Sequence, residues 1–155
     1  MAEAIAQADD VSEVVKHLAG PAVSGVTYLP VKVAKVALAA EASPASGGMF
    51  SWQNPESVAV FATVILDVTT QATGAANADV GRAANATTSA DTLLDGIDIG
   101  AAAIVGNAFD NEGTNGKGWQ RVDANGGTND YVTATASADS SGLVGSAYVI
   151  YVPTS

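Results

Sequence analysis

The segment 58–70, Val-Ala-Val-Phe-Ala-Thr-Val-Ile-Leu-Asp-Val-Thr-Thr, constrains the fold more than any other part of this chain. Successive strand residues project to opposite faces, so Val58, Val60, Val64, Leu66 and Val68 share one face, and Phe61 and Ile65 share the other. A strand that is apolar on both sides at its centre belongs inside a sheet. One face then lies on a core, and the other is covered by a partner or by another segment. Further strands are predicted at 76–84, 102–106, 119–122, 131–137 and 143–152. They are separated by Asp95-Gly96, Asn115-Gly116 and Asn125-Gly126-Gly127, dipeptides and tripeptides that tolerate positive φ. The stretch 26–38 reads as extended, and Pro30, which has no N–H for a ladder, marks it as an edge or bulged strand. Short strands at these intervals predict an all-β fold, a single β-sandwich or jelly roll.

Composition narrows the reading. A chain of 155 residues supports one ordinary core. Its 48% hydrophobic fraction is too high for a disordered polymer. Much of that fraction is Ala and Val, which predicts a thin, closely packed core. Of the acids, only Glu3, Asp9, Asp10 and Glu13 precede residue 41, and the remainder of the chain holds just Arg82, Lys117 and Arg121 as bases. A body this acidic repels phosphate backbones, so direct nucleic-acid binding is not expected, and a basic or polar protein surface is the better partner. With no cysteine, disulfides and thiolate chemistry are excluded. The start Met1-Ala2-Glu3-Ala4, reaching Asp9 and Asp10, is unlike a secretory signal. Lys32 and Lys35 interrupt the most apolar stretch, so no membrane span is expected.

Residues 1–25 read as an N-terminal arm, helical or extended, attached to a sandwich domain at 26–155. Val11, Val14, Val15 and Leu18 recur at helical spacing, Asp10 and Glu13 suit an N-terminal capping box, and Gly20-Pro21 ends the pattern. So short a helix needs a surface to lie on, whether its own domain's or a neighbour's.

No motif for catalysis or cofactor binding emerges. His17 has neither Cys nor a second His with which to hold zinc. No serine sits in a nucleophile elbow, and no glycine-rich phosphate loop occurs. Asp91, Asp95 and Asp98 are close enough to suggest paired carboxylates, but they lie in a segment that reads as a helical turn or loop in which acids bond the backbone. The oxygen-rich stretch 110–116 could hold calcium, although its spacing departs from an EF-hand loop. The expectation is a non-enzymatic protein without cofactor or metal. Its candidate interface residues are Val11, Val14, Val15 and Leu18 on the arm, Phe61 and Ile65 on the strand, and Trp52 and Trp119 near loops.

The run 64–81, beginning Val-Ile-Leu-Asp-Val-Thr-Thr and ending Ala-Asp-Val-Gly, resembles a segment of small phage head proteins. Three later pieces follow in the expected order. They are Asp91-Thr92-Leu93-Leu94-Asp95-Gly96, then Phe109-Asp110-Asn111 with Gly113-Thr114-Asn115-Gly116-Lys117, then 142–151. Together they identify the chain as similar to the bacteriophage capsid decoration, or cement, proteins. The resemblance implies a jelly-roll-like structural protein, made in the host cytoplasm. It would sit as a homotrimer on the capsid surface of the virion, binding the major capsid protein and clamping neighbouring capsomers. No residue roles carry over. The same texture suits a tail, baseplate or head-fibre β-domain, and Trp52, Trp119 and Tyr131 raise receptor or carbohydrate binding as the alternative.

Overall fold

A computed structural model describes residues 29–105 and 115–155. The predicted arm with Val11, Val14, Val15, His17 and Leu18, and most of the 110–116 stretch, lie outside the described residues.

Nine strands form two antiparallel sheets, and no helix occurs among the described residues. They are β1 (Lys32–Ala37), β2 (Phe50–Gln53), β3 (Val60–Thr70), β4 (Asn77–Ala83), β5 (Leu94–Asp98), β6 (Ala103–Val105), β7 (Gln120–Val122), β8 (Tyr131–Ala136) and β9 (Val144–Pro153). The first sheet has the order β1-β9-β3-β6, with β7 also paired to β3, and the second has the order β2-β8-β4-β5. The chain changes sheet between β1 and β2, β2 and β3, and β3 and β4. It makes a hairpin from β4 to β5, then returns through β6 and β7 to β8 and β9. This is a jelly-roll-like sandwich.

The interior position of the central strand and its core-facing side follow from its register. β9 lies along nearly all of β3, from Val60 opposite Pro153 to Thr70 opposite Val144, and β1 pairs with the other edge of β9. Val60, Ala62, Val64, Leu66 and Val68 of β3 face inward with Ala147, Val149 and Tyr151 of β9. From the second sheet, Phe50, Trp52, Val132, Ala134, Ala136, Ala78 and Val80 meet them. Small alanines on β4 and β8 let the sheets approach, and Met49, Leu66, Leu93, Leu94 and Ile99 fill the remaining volume, all fully buried. Burial of side chains this size stabilises by about 1.5–3 kcal/mol each before ordering costs.

Two strands correct the sequence reading. The segment read as a helical turn or loop around Asp91, Asp95 and Asp98 contains β5. Val80 faces Leu94 and Ala78 faces Ile97, so one extra residue is accommodated on β5, and Gly96 supplies the positive φ of 71° that the bulge needs. The bulge turns both Leu94 and Ile97 inward although they are three residues apart. β2 is the second correction. Trp52, expected near a loop, is only 9% exposed and packs its ring against Tyr151 with centroids 5.0 Å apart. It belongs to the core and not to an outer surface.

β6 and β7 are two pieces of one edge. Four positions separate Leu66 from Ala62 on β3, whereas fifteen separate their partners Val105 and Gln120, so an eleven-residue insertion divides the edge strand. Its described end is fastened to the bend that precedes β5, with Lys117 N donating to Thr92 O at 3.1 Å.

Candidate interaction face

The two outer faces of the sandwich differ in chemistry. The second sheet turns Ser51, Gln53, Thr133, Thr135, Asn77 and Asp79 outward, and loops cross over it. Thr133 Oγ1 donates to Thr88 O at 2.6 Å, and Gly47 N donates to Thr135 Oγ1 at 2.9 Å. Gly81 admits the 84–92 loop, because a Cβ there would stand 2.7 Å from Ala90. Thr133 and Thr135 on that side are therefore satisfied by the protein's own loops.

The first sheet presents the opposite picture. Strand alternation and register place Val33, Ile150 and Thr63 side by side in one row, and Lys35, Tyr148 and Ile65 in the next. Phe61 lies between Val152 and Arg121. Val31 precedes β1 on the same parity. Val31 is 65% exposed, Val33 58%, Phe61 49% and Trp119 42%. Leu29 and Val144, the other large exposed apolar residues among those described, also share the outward parity of β1 and β9. Among the described residues, Val33 and Phe61 lie on this face and Val31 and Trp119 adjoin it, whereas Val144 stands at its other end, where β9 begins. The apolar rows lie where β1 begins, and the face becomes polar toward Ala37, Ser146 and Asp67.

Charge is distributed with the same asymmetry. Lys35 holds its Nζ 5.5 Å from the Tyr148 ring centroid, a geometry in which the ring's negative face attracts the cation. Arg121 lies opposite Phe61 and reaches Asp123 at 3.0 Å. Lys32, at the start of β1, donates to Glu56 at 2.6 Å, and this bond raises its pKa above the ordinary lysine value. Between Phe61 and Ile65, the buried Thr63 hydroxyl has no hydrogen-bond partner among the described residues.

Of the predicted interface residues, Phe61 and Ile65 lie on this face. Trp119 sits just before β7 with the parity of Arg121. Trp52 does not belong to it, so a sugar-stacking platform would rest on Trp119 without Trp52. Sequence reasoning missed Val31, Val33, Ile150 and Val152. Their signal was present in the alternation Val31-Lys32-Val33-Ala34-Lys35 and in the two-sided apolarity of Tyr148-Val149-Ile150-Tyr151-Val152.

The aspartates weighed as paired carboxylates act as acceptors. Asn115 spans two of them, with its N donating to Asp95 Oδ2 at 3.0 Å and its Nδ2 to Asp91 Oδ2 at 3.0 Å. Asp98 Oδ1 accepts from Gly100 N at 2.7 Å, and Asp79 Oδ1 from Gly96 N at 2.8 Å. Each bond ties one loop to a neighbouring strand or turn. Among the described residues, no group of three or more His, Cys, Asp or Glu is placed to hold a metal ion. At the other end of the sandwich, buried Asp130 accepts from Gln53 Nε2 at 2.8 Å and Gly126 N at 2.7 Å. Burial pushes its pKa up, and these bonds more than offset that, holding it below the usual carboxylate range.

No family model, no curated protein and no solved structure matches this chain.

Proposed function

We propose that this protein is a non-enzymatic structural component of a phage virion, one that decorates the outer capsid surface and stabilises the shell by binding the major capsid protein. The observation that carries the reading is the outer face of the first sheet, where the exposed large apolar side chains gather beside Lys35 and Arg121. A contiguous apolar face rimmed by polar groups is suited to a protein partner. Self-association into a trimer would use part of the same surface.

The mechanism is mechanical. A standard interface buries about 800 Å² per partner, and many copies fixed on one symmetric shell add avidity without new contacts. Imaging and quantifying the parent particle tests this directly. The expected result is density on the capsid exterior at a copy number commensurate with the major capsid protein. A protein found only at the tail, or at a few copies per particle, would overturn the capsid reading and favour a tail, baseplate or fibre domain.

A further inference from the structure

We infer that in the free protein the apolar end of this sheet face is covered by residues 10–18 of the same chain, which lie across β1, β9 and β3 with Val11, Val14, Val15 and Leu18 against the sheet. The inference concerns the free protein and needs no capsid.

Three observations select this occupant over an unrelated one. The first is where the chain enters. The described residues begin at Leu29, beside Val31 and Val33, so everything before them is delivered to the apolar end of the face and not to its polar end. The second is reach and fit. Residues 19–28 can extend at most about 35 Å, while strands about 4.8 Å apart put β1 and β7 only about 15 Å from each other. A helix over residues 10–18 would be about 13 Å long, which matches the width of the Val33–Ile150–Thr63 row with its flanks. The third is complementarity. The segment 10–18 offers the apolar stripe, with Asp10 and Glu13 in its first half and Lys16 and His17 in its second. The face offers apolar rows beside Lys35, with Arg121 already paired to Asp123 and Asp67 at the polar end. A tether this short also gives its own segment a high effective concentration over the face, which favours it over the same segment of another copy.

The absence of cysteine makes the test clean, because one introduced thiol is the only one present. A nitroxide is attached to full-length Ser12→Cys, a position outside the stripe, and paramagnetic broadening of backbone amides is read by NMR. The expected result is that amides of Val31, Val33, Phe61 and Ile150 lose most of their intensity, while those of Ser51, Thr133 and Thr135 on the opposite face keep theirs. Adding Val14→Asp and Leu18→Asp to the labelled chain should restore the intensity without shifting core resonances. Two results overturn the inference. One is broadening with no preference for the first sheet. The other is broadening of isotope-labelled, nitroxide-free chains mixed with nitroxide-bearing chains of natural isotope content, which would assign the face to a second copy. Failure of the protein to bind a capsid changes neither readout, so the two proposals fail separately.

Discussion

Phe61 and Ala62 are adjacent on β3 and point to opposite sides, so a carboxylate at each position asks which side is interior. Phe61 is 49% exposed, and a fully buried side chain of its size contributes about 1.5–3 kcal/mol. Phe61→Asp therefore removes about 1–1.5 kcal/mol of burial, and the poorer strand preference of Asp adds up to about 1 kcal/mol. Arg121 stands directly opposite, and an opposite-charge cross-strand pair offsets about 0.2–1 kcal/mol. The net loss is about 1–2 kcal/mol. Ala62, fully buried, faces Tyr151 across the ladder, and Ala62→Asp places an unpaired charge in the core at about 3–5 kcal/mol or more. Against a total of about 5–15 kcal/mol, the first variant stays folded and the second is largely lost. Urea unfolding followed by circular dichroism measures both. Phe61→Asp should lower the midpoint by about 0.5–1 M with an unchanged slope. The folded Phe61→Asp protein should bind its partner at least about tenfold more weakly, since a central aromatic anchor commonly contributes more than 1 kcal/mol. If Phe61→Asp were as destabilising as Ala62→Asp, the outer face would be part of the fold's interior and the interaction reading would fall.

Other outcomes follow from individual contacts. Buried Asn54 donates to Val58 O and Asp123 O and accepts from Glu56 N, so Asn54→Ala should cost about 2–4 kcal/mol in urea unfolding by stranding those backbone groups. Gly81→Val should destabilise by about 1–3 kcal/mol, because its side chain must displace the loop at Ala90, and proteolysis should then cut within 84–92 first. The folded-state pKa of Asp130 is depressed, so its contribution is present above the unfolded value of about 3.9 and is lost as pH falls through the folded one. Thermal unfolding between neutral pH and pH 2 should show a loss of stability below about pH 4 that Asp130→Asn reduces.

The long strands were legible because their apolar residues alternate over enough positions to declare a face, as in β3 and in the Tyr148–Val152 part of β9. β2 has only four residues, Phe-Ser-Trp-Gln, too few for a period to separate from the loops around it. β5 failed for a more specific reason. The Gly96 bulge puts Leu94 and Ile97 on one face at a spacing of three, and that spacing imitates a helix. The candidate face was legible in halves. Phe61 and Ile65 announced an outer side of β3, but Val33 joins them only through Ile150, a partner more than a hundred residues distant. No local pattern encodes that pairing, so the extent of the face required the register. Trp52 was misplaced for the same cause. An aromatic residue flanked by Gly48 and Asn54-Pro55 looks like a loop residue until β8 is laid beside it.

The distribution of charge supplies the orientation that an apolar face alone lacks. The protein carries a net charge of −10, yet Lys32, Lys35 and Arg121 belong to strands of the first sheet, Lys32 paired with Glu56 and Arg121 with Asp123, which leaves Lys35 against Asp67 on its outer side. On the strands of the second sheet Asp79, Asp95 and Asp98 stand against one base, Arg82. Two copies approaching through their second sheets repel, as does any acidic surface that meets that side. An approach through the first sheet meets less repulsion and finds apolar area to bury. Contact between like molecules is therefore directed to one side of the sandwich before any short-range packing begins. Salt screens this bias over about 10 Å at 0.1 M. Raising ionic strength should therefore quicken association of like molecules through the face, by screening the repulsion between their net negative charges, while leaving the dissociation rate, set by apolar burial, nearly unchanged.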